Sequence, residues 1–148
     1  MVEKIKKGLY YAKKEIEVAR FEDIMGLLIR ECGLEKISLA RCCLHLREDS
    51  SLMTMIIVII NKYVYPIHRH DWKDESYTIL EGYCRFKEYR ADGSLISEVK
   101  LRRGDTIMNN SQNYHSIEPE SNILGYVENT TGPFNGRRPE FLRGQHQN

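Results

Sequence analysis

"PIHRHDWKDESYTILEG" occupies positions 66–82 and holds two histidines, four acidic residues and the only tryptophan of the chain. Side chains two apart on a β-strand point to the same face, so His68 and His70 project together. Imidazole pairs with a carboxylate in mixed sites for Zn, Mn, Fe or Ni. Glu75 follows His70 across the short loop "DWKD" and is placed to open the returning strand, with Tyr77 and Ile79 on its face. Gly82 stands where that strand must bend sharply. A further ligand belongs on another strand, and two histidines remain outside this stretch and the tail, His45 and His115. His115 closes "GDTIMNNSQNYH", in which Gly104-Asp105 reads as a turn and 114–117 as a strand pairing back.

The flanking sequence reads as the scaffold for such strands. Short apolar runs cover 37–46, 52–60, 63–68, 75–81, 83–90, 95–101, 105–109, 114–117 and 122–128, separated by turn residues such as "EDSS", "RRGD" and "EPES". Asp92-Gly93 is the clearest hairpin turn. Many short strands at near-regular spacing predict a sandwich or barrel. Upstream, "LYYAKKEIEV" (9–18) alternates as a strand, most plainly at Glu15, Ile16, Glu17 and Val18. Phe21, Ile24, Met25, Leu28 and Cys32 then share one helical face, and Gly33 is placed to end that helix. The expected layout is one domain overall, with a strand and helix over 1–36 packed on a barrel over 37–148.

Composition narrows the partners. The chain has 148 residues, 41% hydrophobic and 29% charged, with a net charge of +1. That balance gives no electrostatic reason to expect nucleic acid or an anionic membrane. The longest apolar run, "MTMIIVII" (53–60), is too short to span a bilayer and reads as a buried strand. The N-terminus has no apolar segment of signal-peptide type, so a cytoplasmic protein is expected. Cys32, Cys42, Cys43 and Cys84 form no Cys-x-x-Cys pair and read as reduced, buried thiols. The half-apolar strand 9–18 is expected to pair with a second copy and give a homodimer.

The constellation His68-x-His70-x4-Glu75-x6-Gly82 followed by Gly104-x10-His115 resembles the paired motifs of the cupin superfamily. Lys62 stands at the first motif's leading glycine. In the second motif Asn110, Gln112 and Pro119 stand where a proline, a glycine and an asparagine are usual. Those positions shape a turn and bind no metal. Within the superfamily the chain is similar to the WbuC-type metalloproteins of surface-polysaccharide gene clusters. The pieces are "YYAKKEI" (10–16), "ARCCLHLRED" (40–49), "HRHDWKDESYTILEG" (68–82) and "TGPF" (131–134). Asp71 stands where a proline usually follows the second histidine, and the tail holds Phe141 but no Trp.

The resemblance implies a mainly β fold, the double-stranded β-helix or jelly-roll barrel. It implies a divalent transition metal held by His68, His70, Glu75 and His115. It also places Arg41, His45 and Lys73 toward the pocket as contacts for a small anionic substrate. Tyr77, by alternation, and Lys73 are the candidate catalytic groups. Arg137 and Arg138 read as a charged tail. A sugar acid or nucleotide-activated sugar fits the charge, and a metal-dependent enzyme is expected, with isomerisation, epimerisation and hydrolysis all open as its reaction. A non-catalytic sugar-binding or sensing protein and an Fe(II)-dependent dioxygenase are the alternatives.

Overall fold

A computed structural model describes residues 2–14, 18–110 and 112–144. The chain begins with a hairpin, β1 (Val2–Lys6) and β2 (Leu9–Ala12), followed by helix α1 (Phe21–Glu35). Ten strands follow: β3 (Leu39–Cys43), β4 (Leu52–Ile60), β5 (His68–Arg69), β6 (Glu75–Glu81), β7 (Tyr83–Tyr89), β8 (Leu95–Arg102), β9 (Thr106–Asn109), β10 (Tyr114–Pro119), β11 (Ile123–Thr131) and β12 (Glu140–Phe141). They form a seven-stranded sheet in the order β1-β2-β3-β4-β11-β6-β9 and a five-stranded sheet in the order β12-β5-β10-β7-β8. Every pairing is antiparallel except β2 on β3. This is a jelly-roll sandwich with one helix, as the sequence predicts.

Alternation in the long strands divides their side chains between two buried layers. Met55, Ile57 and Ile59 of β4 face the interior of the sandwich, with Tyr77, Ile79, Phe86, Leu124 and Tyr126. Ile56 and Val58 face the other way and meet Ile24, Leu28 and Cys32 of α1. The expected β4 and β6 match their observed bounds, and Asp92-Gly93 turns the β7–β8 hairpin with Gly93 at φ 84°. Gly82 bends the chain at φ 79°, where a Cβ would collide with the Ile123 carbonyl and Ser121 Oγ.

Four expectations fail on local grounds. Gly33 does not end the helix. The chain continues to Glu35, and Lys36 takes the left-handed conformation at φ 51°, with Ile37 N–H donating to the Cys32 carbonyl at 3.1 Å. Gly33 needs no special conformation, and a Cβ there would meet nothing. The run 63–68 is not a strand, because Asn61 and Lys62 both turn left-handed and pairing resumes only at His68. The strand expected over 9–18 spans Leu9–Ala12, while Glu15–Glu17 lie outside the described residues. That strand is also not an open edge for a second copy. β2 lies between β1 and β3 of its own sheet, a position created by the unforeseen strand β1. All four cysteines are free and buried. Among the described residues no helix is long and apolar enough to cross a membrane.

Candidate metal centre and its cavity

β5 and β10 bring the histidines together. His68 and His115 are cross-strand partners, and their rings lie 4.6 Å apart between centroids. His70, just past the end of β5, places its ring 5.0 Å from His68 and 5.9 Å from His115. One ligand nitrogen from each of the three lies within 4.8 Å of the others. The ring orientations are fixed from behind. His68 Nδ1 donates to the Pro66 carbonyl at 2.8 Å, and His115 Nδ1 donates to the Asn113 carbonyl at 3.2 Å. The bond on His68 leaves its Nε2 lone pair free to face an ion, the usual arrangement behind ligating histidines, while His115 Nε2 lies 3.2 Å from Glu75 Oε2. Burial pushes the imidazoles of His68 and His70 down, to about 4 and about 3, so both are neutral at pH 7. Neutral imidazole is the ligating form.

Glu75 opens β6 beside this triad with both oxygens engaged. Oε1 accepts from Lys73 Nζ at 2.6 Å and lies 3.5 Å from His70 Nε2. Oε2 accepts from Tyr77 Oη at 2.7 Å and Asn109 Nδ2 at 3.2 Å, and lies 3.2 Å from His115 Nε2. Burial pushes this carboxyl up, but the hydrogen bond from His115 and the charge of Lys73 outweigh it. The net effect holds Glu75 well below the usual carboxylate range, as an anion. Three imidazoles with nitrogens within 4.8 Å of one another, and a carboxylate alongside, make a donor set suited to a divalent transition ion. The residues present fit the metal that the motif implies.

The triad forms part of the wall of a cavity of about 440 Å³, within the range of small-molecule sites. Tyr77 lines it, buried, with its hydroxyl 3.4 Å from His115 Nε2. Burial first, then the charge of Glu75, raises Tyr77 well above its ordinary value, so it stays a neutral hydroxyl. Arg41 lines the same cavity. Lys73 does too, but its ammonium is committed to Glu75 and, at 3.5 Å, to Glu128. It is therefore not the free cation for a substrate that the sequence suggested. His45 does not line the cavity. Its Nδ1 bonds to the Thr54 carbonyl at 3.2 Å, and its ring meets Tyr11 edge-on at 5.5 Å.

Two residues enter the site that sequence reading left out. Glu128 on β11 lines the cavity beside Lys73. Burial pushes its carboxyl up, against the pull of the Lys73 ammonium. Its signal was parity, since Leu124, Tyr126 and Glu128 alternate toward the interior. Arg137, read as tail, lies 5.5 Å over the Trp72 ring and lines the cavity. Trp72 in turn meets His70 at 5.9 Å.

No protein-family model matches the chain, and no curated protein is detectably similar. Solved structures are. The cupin domain of Cnp3 from Schizosaccharomyces pombe aligns with a TM-score of 0.54 at 13% identity, covering 64% of each chain. A cupin-2 domain protein from Rhodospirillum rubrum aligns at 0.59 and 13%, covering 72% of this chain and 67% of that one. The chain has the cupin fold. DMSP lyase DddQ from Ruegeria pomeroyi shares that fold at a TM-score of 0.62 and 17% identity, over 90% of this chain and 75% of its own. The chain spans just under two thirds of the Cnp3 domain chain, at 64%. Identities this low establish the cupin fold and leave each neighbour's activity its own.

Proposed function

We propose that this cupin-fold chain is a metal-dependent enzyme acting on a small anionic molecule. A sugar acid or nucleotide-activated sugar is the substrate class that the WbuC-type resemblance supports. One observation carries the reading. Three histidines, His115 buried and His68 and His70 half-buried, bring one nitrogen each within 4.8 Å of one another on the wall of a cavity of about 440 Å³. A divalent Zn, Mn, Fe or Ni ion bound there supplies Lewis-acid polarisation of a carbonyl or hydroxyl oxygen.

The chain's own groups do the rest. Tyr77 Oη, neutral and hydrogen-bonded to Glu75, holds a proton beside the triad and fixes the carboxylate in place. Lys73 Nζ lies between Glu75 and Glu128, 2.6 and 3.5 Å away, and holds both in place, while Glu128, whose carboxyl burial pushes up, is the base that faces the cavity opposite the Tyr77 hydroxyl. An acid–base pair inside the cavity serves proton transfer at carbon next to a carbonyl, the step shared by isomerases and epimerases. Pure binding needs no such pair. Aromatic and aliphatic walls exclude water around these groups, which strengthens each charge interaction.

The test is a screen of sugar acids and nucleotide-activated sugars against metal-loaded protein, with turnover followed against metal occupancy. Turnover proportional to occupancy is expected. Tight ligand binding with no turnover at full occupancy would replace the enzyme with a sugar-binding protein.

A further inference from the structure

The cavity carries charge that the metal centre does not use. Its acids are Glu48, Glu75 and Glu128, and the last two share Lys73. Lys6, Lys7 and Arg41 also line it, and none of the three forms an ion pair among the described residues. Lys6 and Lys7 are exposed, while Arg41 is half-buried. Exposed lysines are ordinarily solvated and mean nothing. Here the turn that carries them is fastened in place.

The fastening begins at Gly8, which follows Lys7 in the β1–β2 turn. It is buried at φ 71°, and a Cβ there would come 2.7 Å from Ile37 Cδ1 and 3.1 Å from the Leu39 carbonyl. The Gly8 carbonyl accepts from Arg41 N–H at 2.9 Å, which ties the turn to the strand that bears Arg41. The Gly8 N–H donates to Glu31 Oε1 at 3.0 Å. Glu31 is the only buried charged residue in α1, at 4% exposure. It also accepts from Tyr10 Oη at 2.9 Å and pairs with Lys4 Nζ at 2.8 Å. All three partners belong to the β1–β2 hairpin. A buried carboxylate is costly unless fully bonded, and this one spends its bonds on holding the hairpin tip beside Arg41.

We infer that Lys6, Lys7 and Arg41 form an anchor for the phosphoryl group of the substrate at the mouth of the cavity, with Glu31 as the residue that positions its turn. The inference rests on the proposed function for the other end of the substrate, at the histidine triad. Among the described residues Lys6, Lys7 and Arg41 form no ion pair, and with Arg137 on the same wall they outnumber the acids Glu48 and Glu128 near them, which suits a group carrying two negative charges better than a carboxylate carrying one. Arg41 can bind two oxygens at once, and the lysines act as point charges.

The experiment titrates the purified full-length protein with inorganic phosphate, followed by calorimetry and by melting temperature, with acetate as the single-charge control. Metal content is measured in the same samples. Phosphate is expected to bind and raise the melting temperature, and acetate to do so at least ten-fold more weakly. Arg41→Gln and the double variant Lys6→Gln/Lys7→Gln are expected to weaken phosphate binding about ten-fold or more, with metal content unchanged. The lysines are exposed, so the double variant keeps the test valid if Arg41→Gln folds poorly. No phosphate binding by the wild type, equal binding of acetate, or undiminished phosphate binding in the folded variants would each overturn the anchor. Undiminished binding would direct phosphate to the metal instead. A metal-free wild type that still binds phosphate through Arg41 would sink the proposed enzyme and leave the anchor standing.

Discussion

The seven-stranded sheet is covered on both sides, and its two faces differ in kind. Toward α1 it presents Ala40, Cys42, Ile56 and Val58, closed by Ile24, Leu28 and Cys32. Toward the five-stranded sheet the same strands present Cys43, Met55, Ile57, Tyr77 and Tyr126, and continue into Arg41, Glu75 and Glu128 around an open cavity. Sequence neighbours such as Cys42 and Cys43, or Ile56 and Ile57, therefore serve different layers. On the helix side the buried charge is Glu31, with every bond spent on the hairpin. On the interior side the buried polar groups touch one another: Lys73 to Glu75, Glu75 to Tyr77, Tyr77 to His115. Close packing that leaves no room stabilises one face. The other face keeps its space and holds reactive groups in pairs.

The largest expected effect falls on the helix face. Leu28 is fully buried, so Leu28→Ala should cost about 2–5 kcal/mol through lost burial and the cavity left behind. Denaturant unfolding measures this. The folded fraction should keep its full metal content, because nothing in the triad touches α1. Loss of metal from folded Leu28→Ala protein would show that the two faces are not separable.

Acid should separate the faces next. Burial depresses His68 to about 4 and His70 to about 3, from an ordinary value near 6.5. Below about pH 6.5 the unfolded chain takes up protons that the folded chain refuses. The contribution of these histidines to stability is therefore whole above that pH and is lost as pH falls through the window down to 4 and then 3. Glu31 is held below the usual carboxylate range, chiefly by its hydrogen bond from Lys4 and then by the Gly8 N–H. Its contribution is whole above about pH 4.3 and is lost only below it. Melting temperatures of chelator-stripped protein should thus fall between pH 6.5 and 4 in the wild type and in Glu31→Gln alike. His70→Ala should make that fall shallower, with His68 still contributing to it. A flat wild-type profile there would mean that the histidines are not buried and neutral.

A smaller effect belongs to Tyr77→Phe. The ring keeps its packing against Phe86 and Tyr126 while Glu75 Oε2 loses its 2.7 Å donor. Stability should change by about 1 kcal/mol, and metal affinity should drop about ten-fold as the partner behind the centre is lost. Competition with a chelator of known affinity reads this. An unchanged affinity would detach Tyr77 from the centre.

These contrasts also show why some of the molecule was readable from sequence and some was not. The spacing of His68, His70 and Glu75 was readable through the paired motif it resembles, although β5 and β6 lie in different sheets and His70 stands just past the end of β5. β4 and β6 were readable because long apolar or alternating runs mark strands. β12 was not, because two residues, Glu140 and Phe141, carry no period at all. β1 was not, because "VEKIK" buries little and exists through its pairing with β2. The resemblance placed His45 toward the pocket, on the face that Arg41 would share if β3 ran on to it. The strand stops at Cys43, and alternation loses its meaning past a strand end. The pairing of Lys73 with Glu128 spans 55 positions and could not be seen without the β6–β11 register, in which Tyr77 faces Glu128. Arg137 reaches Trp72 in a segment whose course depends on β12 docking onto β5, a contact with no local signature.

The most direct measurement is the divalent metal content of wild type and His70→Ala, both purified without chelator and then offered Zn, Mn, Fe and Ni in turn. About one transition ion per wild-type chain is expected, with little or none in a His70→Ala protein that is still folded. A wild type that takes up none of the four metals, or a His70→Ala variant that binds them as well as the wild type does, would contradict a metal centre at His68, His70 and His115.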